Sequence, residues 1–321
     1  MSESRAAQPS PKAPGAGARL DDRVLPFRIE GADMRGRIVR LGPVLDDILH
    51  AHAYPPAVAR LLAEILVLTA MLGSMLKGET GVLTVQAKAG GAVKLLVADY
   101  RAGGALRGYA GFDADRLAPL GAAPDLRDLL GKGYLALTLE QGGEEERYQG
   151  IVDLTGDSIA ACARHYFAKS EQTPTALAIA VQPSADGRWQ AAGLMLQHLA
   201  KGEDGGPRLL SADQREDWAR VSALMATVRH DELLDPLLAS GDILYRLFHE
   251  EGVRVFPTVA LARGCRCTRE SIARMLARFS AADQADMVVD GAITVTCEFC
   301  NKDFRFVAEA DNSAESSAGT S

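Results

Sequence analysis

Four of the chain's five cysteines lie near its C-terminal end in two close pairs, and this arrangement constrains the fold more than any other feature. One residue separates Cys265 from Cys267, two separate Cys297 from Cys300, and residues 268–296 lie between the pairs. Such pairs are typical of a metal site built by two short loops. Zn²⁺ accepts four thiolates tetrahedrally, and the spacing of an iron–sulfur site is absent. The sequence therefore predicts one zinc ion per chain in a closed structural site.

The residues around the cysteines are strongly basic. Between Arg254 and Arg278 the chain has six arginines and one carboxylate, that of Glu270. Four thiolates around Zn²⁺ leave a net charge of about −2, which these arginines offset. A positive field also lowers thiol pKa values, so it favours metal binding and, once the metal is lost, oxidation. Two interpretations stay open at this point, an inert zinc knuckle and a redox switch.

Composition limits the class of protein. The 321 residues are 47% hydrophobic, enough for one substantial core and one smaller domain. The net charge of −7 opposes general binding to phosphate backbones. The first twenty residues lack the apolar run of a secretory signal, and the most apolar stretch, 61–75, contains Glu64. We therefore expect a soluble cytoplasmic protein with no membrane contact, whose paired cysteines serve metal or redox chemistry.

Hydrophobic periodicity predicts an α+β fold, with an antiparallel-sheet core and packed helices. Its central helix is apolar nearly all round, which places that helix inside the core. Strands are predicted at 25–29, 34–41, 81–87, 92–100, 105–110, 134–140, 147–154, 176–182 and 189–196. Helices are predicted at 45–52, 55–76, 125–130, 157–169, 213–228, 230–238 and 242–249.

These patterns divide the chain into five segments. The helices of the third have apolar faces without a disulfide or metal, so we expect them to form a metastable linker. On the first of them Trp218, Val221, Leu224 and Met225 share one face. The segments are a disordered tail at 1–22, an α+β core domain at 23–200, a helical linker at 201–250 that begins with a Gly- and charge-rich break, a cysteine domain at 251–308 and a second disordered tail at 309–321.

The sequence predicts no catalytic residue and no enzymatic activity. It has no phosphate-binding loop and no nucleophile elbow, and its six histidines lack metal-ligand spacing. The fifth cysteine, Cys162, falls among apolar residues on one face of the predicted helix 157–169. We expect a buried structural thiol there, because it has no partner cysteine nearby.

Four motifs precede the cysteine frame, and with it they resemble the bacterial heat-shock-protein-33 family of redox-regulated holdase chaperones over residues 24–307. The resemblance implies a core domain, a metastable linker and a zinc domain. It also implies that Cys265, Cys267, Cys297 and Cys300 bind zinc when reduced and form the disulfides Cys265–Cys267 and Cys297–Cys300 when oxidised. The motifs are Arg37-Ile-Val-Arg40-Leu, Tyr54-Pro-Pro-x-Val-Ala-Arg60-Leu-Leu, Val97-Ala-Asp-Tyr-Arg101 followed by Leu106-Arg-Gly-Tyr, and Tyr166-Phe-x-x-Ser170-Glu-Gln-x-Pro-Thr175.

The resemblance further implies an ATP-independent chaperone of oxidative and heat stress. Oxidation would release zinc and unfold the linker, and the exposed apolar surface would bind unfolding proteins and favour a homodimer.

Two other classes of protein remain. A zinc-ribbon nucleic-acid-binding protein would use the arginines, but the sequence lacks interleaved aromatic residues. A thiol oxidoreductase would use Cys297-Glu-Phe-Cys300, but the flanking runs 292–296 and 304–307 predict a β-hairpin instead of a strand-to-helix turn.

Overall fold

The computed structural model describes residues 19–76, 78–121, 124–141, 147–184, 186–198 and 210–307. Within these ranges helices combine with largely antiparallel sheets, which confirms the predicted α+β class. Most of the predicted N-terminal tail, the whole C-terminal tail and the Gly- and charge-rich break lie outside the described residues.

The bounds of the regular elements follow in chain order. The strands are β1 (Arg23–Ile29), β2 (Met34–Leu41), β3 (Val82–Ala89), β4 (Val93–Arg101), β5 (Ala105–Phe112), β6 (Gly133–Glu140), β7 (Tyr148–Asp153), β8 (Thr175–Pro183), β9 (Trp189–His198), β10 (Val253–Val255), β11 (Val259–Ala260), β12 (Ala262–Arg263), β13 (Ala292–Thr296) and β14 (Asp303–Val307). The α-helices are α1 (Pro43–His50), α2 (Pro56–Gly73), α3 (Ala114–Leu117), α4 (Leu126–Leu130), α5 (Ile159–Tyr166), α6 (Ala212–Ala226), α7 (His230–Leu234), α8 (Ser240–Phe248), α9 (Arg269–Leu276) and α10 (Ala281–Asp286).

The strands form two larger sheets and one hairpin. In the first sheet the order is β10-β1-β2-β9-β8, and β11 also pairs with β1. In the second sheet the order is β12-β5-β4-β3-β6-β7, and strands β13 and β14 make the hairpin. Only the two-residue strand β12 pairs in parallel among the described strands. Strands β10 to β12 therefore carry the chain from the edge of the first sheet to the edge of the second.

Helix α2 lies between the two sheets, inside the core as its all-round apolar surface predicts. Leu62 and Leu66 approach Gly108 of the second sheet, and Val67 and Met71 approach Gly193 of the first. Among the described helices α2 alone is long and apolar enough to cross a membrane, but 78% of that stretch is buried inside the protein. It is the core helix, and it begins with proline because the first turn needs no N–H from that residue.

The outer face of the first sheet is covered by helices α6, α7 and α8. Val221, Leu233 and Phe248 are fully buried there, and the Phe248 ring stacks on Phe27 with centroids 5.8 Å apart. Arg40 of β2 donates a hydrogen bond to the carbonyl of Glu232 at 3.2 Å. On α6 the predicted apolar face meets this cluster, with Trp218, Leu224 and Met225 packed beside Val221.

Several helix ends differ from the prediction by one to four residues, and two of these differences have a cause in the structure. Helix α1 begins at Pro43, two residues early, because the distant carboxylate of Asp22 accepts the N–H groups of Gly42 at 2.8 Å and Val44 at 3.1 Å. Helix α5 is capped by Ser158 where the sequence pattern favoured Asp157, and a π-helical turn follows it.

The N-terminal limit of the fold also lies earlier than the pattern suggested. Leu20 is only 2% exposed, and Arg19 pairs with Asp46 at 3.3 Å. The folded part of the chain therefore begins by Arg19. A short stretch with a single apolar side chain has no periodicity of its own, so only its packing against the core reveals it.

Candidate metal centre

The first cysteine pair follows strand β12 at the edge of the second sheet. The N–H of Gly264 donates to the carbonyl of Leu106 at 2.7 Å, which continues the pairing with β5. A Cβ atom at position 264 would lie 2.6 Å from the Cβ of Ala105, a distance that no larger residue tolerates. Glycine therefore allows the backbone to approach the sheet just before Cys265.

The second pair lies at the tip of the β13–β14 hairpin, which confirms the predicted hairpin. The N–H of Cys297 donates to the carbonyl of Lys302 at 3.0 Å, and the N–H of Asn301 donates to the carbonyl of Cys297 at 2.8 Å. Asn301 has a φ of 56°, a left-handed conformation that asparagine tolerates. This tight turn directs both sulfurs toward the first pair.

The four sulfurs converge on one point. All four Sγ atoms of Cys265, Cys267, Cys297 and Cys300 lie within 4.8 Å of one another. The Cys265–Cys297 and Cys267–Cys300 distances are 3.6 Å and 3.3 Å. Tetrahedral zinc with four bonds of about 2.3 Å needs sulfurs about 3.8 Å apart, so the donor set fits the ion. Soft sulfur donors also fit zinc better than calcium or magnesium.

The thiols of this cluster do not ionise equally. Burial alone raises the pKa of the Cys265 thiol, but hydrogen bonds from the Cys267 backbone N–H and from the neighbouring thiols lower it to about 7. Burial and the adjacent sulfurs raise the pKa of Cys267, and burial raises that of Cys300. A divalent cation at the centre would stabilise the remaining thiolates, because metal binding and thiol deprotonation are linked.

The cysteine domain has a very small apolar core. In the part of the chain that the structure describes, its buried cluster consists of Ile272, Leu276, Ile293 and Phe304, with Cys267 packed against it among others. So few buried side chains supply little of the free energy needed to order some forty residues. The sulfur cluster therefore sits where a cross-link would hold the domain together.

Two helices between the cysteine pairs were not predicted. Helix α9 is capped by a box of Thr268 and Ser271, and α10 by a box of Ser280 and Asp283. The signal was present in the sequence, since each cap residue is followed three positions later by a polar partner. Both helices are shorter than nine residues, which gives periodicity little to act on.

Cys162 lies apart from the cluster, as its position on an apolar helix face predicts. The residue is fully buried, and its sulfur donates to the carbonyl of Thr155 at 3.2 Å. Burial raises the pKa of this thiol to about 11. A protonated, inaccessible thiol is a poor nucleophile, so Cys162 is less reactive than the four cysteines of the cluster.

Known proteins match this chain over most of its length. The Hsp33 protein family model matches residues 22–307. The 33 kDa chaperonin of Caulobacter vibrioides is 41% identical over 300 residues, covering 91% of this chain and 97% of that protein. The 33 kDa chaperonin of Ectopseudomonas mendocina is 37% identical, covering 88% and 91%.

A solved structure also resembles this chain. The crystal structure of the 33 kDa chaperonin from Thermotoga maritima, a heat shock protein 33 homologue, superposes with a TM-score of 0.75 at 22% identity. The match covers 90% of this chain and 96% of that one. At this identity the likeness shows that the two chains share a fold.

Proposed function

The chain belongs to the Hsp33 protein family, and on this basis we propose that it is a redox-regulated, ATP-independent holdase chaperone. The observation that carries the proposal is the convergence of four thiols in a domain with almost no core of its own. Its clients are unfolding proteins, recognised through exposed apolar surface. We place it in the cytoplasm, where reducing conditions keep the thiols available for metal.

In the reduced state Cys265, Cys267, Cys297 and Cys300 hold one zinc ion per chain. When bound, the metal supplies a tetrahedral cross-link between the two loops, worth on the order of 10 kcal/mol of folding free energy. The domain limits inferred from sequence, 23–200, 201–250 and 251–308, belong to the same proposal. In that order, the three ranges are the core domain, the helical linker and the redox-switch domain.

Peroxide oxidises the thiols of each pair in two steps. One thiol of a pair attacks peroxide, forming a sulfenic acid and water, and its partner thiol displaces a second water to form the disulfide. We assign the pairs as Cys265–Cys267 and Cys297–Cys300. Disulfide sulfurs are poor zinc ligands, so the cross-link is lost and the small domain unfolds.

Unfolding of the cysteine domain leaves the linker helices weakly held. Helices of five to fifteen residues are marginal without tertiary packing, and α7 has only five. Release of α6 to α8 uncovers Val221, Leu233 and Phe248, together with the sheet face beneath them. This apolar surface binds clients and favours a homodimer of the oxidised protein.

The arginines give little support to a nucleic-acid-binding alternative. Four of the six already have protein contacts, which leaves few free for phosphates. Arg254 pairs with Glu30 at 3.4 Å, Arg263 donates to the Cys300 carbonyl at 3.3 Å, Arg266 pairs with Asp99 at 3.0 Å, and Arg269 lies over the Phe306 ring at 4.6 Å. We therefore propose no specific nucleic-acid partner.

The proposal is tested by counting metal and thiols before and after peroxide treatment at mild heat. We expect one zinc and five thiols per reduced chain, and one thiol, that of Cys162, with no bound zinc after oxidation. Only the oxidised protein should suppress aggregation of a heat-denatured client, and it should do so without nucleotide. Absence of zinc from the reduced protein, or equal suppression by both forms, would contradict the proposal.

A further inference from the structure

A group of four side chains on the outer face of the second sheet joins that sheet to both cysteine pairs. The members of this docking network are Asp99, Arg107, Arg266 and Phe299. Asp99 and Arg107 belong to β4 and β5, whereas Arg266 lies inside the first cysteine pair and Phe299 inside the second. The third sequence motif, 97–101 followed by 106–109, contains the sheet side of the network, and the switch described above makes no use of it.

The sheet fixes the Asp99 carboxylate from two sides. Thr84, Asp99 and Arg107 are Cα partners across three adjacent strands, so their side chains share one face. Thr84 Oγ1 donates to Asp99 Oδ1 at 2.7 Å. Arg107 donates to Asp99 Oδ2 from Nε at 2.8 Å and from Nη2 at 2.6 Å. Asp99 is only 6% exposed, so these bonds are shielded from water and charge-assisted.

The same carboxylate reaches both loops of the cysteine domain. Arg266 Nη2 donates to Asp99 Oδ2 at 3.0 Å. The Arg107 guanidinium, which Asp99 orients, lies 3.9 Å from the centroid of the Phe299 ring, a cation–π contact. One buried carboxylate therefore holds the first cysteine pair directly and the second through Arg107. Among the described residues Asp99 is the ion-pair partner of both arginines, so without its charge they would face each other across the interface unpaired.

We propose that Asp99 is a positioning residue of the thiol cluster, holding both cysteine pairs against the second sheet so that the four sulfurs stay together and shielded. Loss of its charge frees the two loops, which exposes the thiols and speeds their oxidation. The proposal rests on the proposed zinc switch for its biological role. In this role the docking network sets the rate at which the four thiols are oxidised.

The test uses the full-length reduced protein with Asp99→Asn, Arg266→Ala, the double variant and a matched control, Arg274→Ala. Arg274 is an exposed arginine of α9, in the same domain as Arg266 but outside the network. Two rates are measured, alkylation of the cluster thiols without oxidant and zinc release during peroxide treatment. Amide exchange of α2 reports whether the core of each variant is folded.

We expect Asp99→Asn and Arg266→Ala each to raise both rates about tenfold, equivalent to about 1.4 kcal/mol, with α2 protection unchanged. The double variant should be little faster than Asp99→Asn alone, because the Arg266 contact is one of those that Asp99→Asn already weakens. Arg274→Ala should match wild type. Rates for the Asp99 and Arg266 variants equal to that control, or strictly additive effects, would overturn the proposal. If the wild-type protein holds no zinc, the proposed function fails, and the alkylation rates still decide the role of Asp99.

Discussion

Replacing Cys297 with serine should abolish stoichiometric zinc binding and unfold residues 265–307 while both larger sheets stay intact. The serine hydroxyl is a hard, weakly acidic donor, so three thiolates would remain at a site built for four. The lost binding energy is on the order of 10 kcal/mol, comparable to what the four buried apolar side chains of this domain supply at about 1.5–3 kcal/mol each. Those side chains alone cannot offset the entropy cost of ordering the domain. Metal analysis and amide exchange measure the two effects.

The matched control is Cys162→Ala, which removes the buried thiol that lies outside the cluster. It should retain one zinc per chain and cost roughly 1–2 kcal/mol of core stability through the small cavity it leaves. Unchanged zinc content in Cys297→Ser, or metal loss in Cys162→Ala, would show that the ligand assignment is wrong.

Replacing Val221 with aspartate should release the linker helices in the reduced, zinc-loaded protein. Val221 is fully buried between α6 and the first sheet, and it belongs to the apolar cluster there. Burying an unpaired charge costs several kcal/mol, about 3–5 by analogy with broken buried pairs. The helices should undock instead, so that this variant suppresses client aggregation without oxidant. Aspartate at Trp218 or Leu224, both partly buried, should act more weakly.

The control for this variant is Ala223→Asp, which makes the same new residue at an exposed position of the same helix. Its helix-propensity cost is larger, up to about 0.7 kcal/mol, because alanine is the best helix former whereas valine and aspartate rank alike, but no apolar contact is lost. We expect it to behave as wild type. Chaperone activity in both variants would mean that negative charge on α6, rather than undocking of the helices, is responsible. Activity in neither variant would show that release of the linker does not create the client-binding surface.

Features encoded locally were predictable from the sequence. The cysteine spacing alone indicated a four-thiol centre, because two short loops with paired sulfurs have few other uses in a reducing compartment. The apolar surface of α2 indicated a helix inside the core, and alternation located the longer strands. Strands β10, β11 and β12 were missed, since runs of two or three residues have no usable period.

Contacts between distant segments could not be predicted from the sequence, for a different reason. Asp99 and Arg266 are 167 positions apart, and each alone reads as an ordinary surface charge. Only the register of β3, β4 and β5 and the path of β12 place them together. The cap of α1 by Asp22, twenty residues earlier, is the same kind of contact. Single-sequence patterns carry no information about such pairs.

Amide exchange of the linker helices, within residues 210–250, in the reduced and oxidised protein tests the two-part switch most directly. These helices should exchange slowly in the reduced form, because α6, α7 and α8 are packed on the first sheet. After oxidation and mild heat they should exchange much faster, together with residues 265–307, while α2 and the strands around it stay protected. Zinc release and client binding with the linker still fully protected would contradict the account.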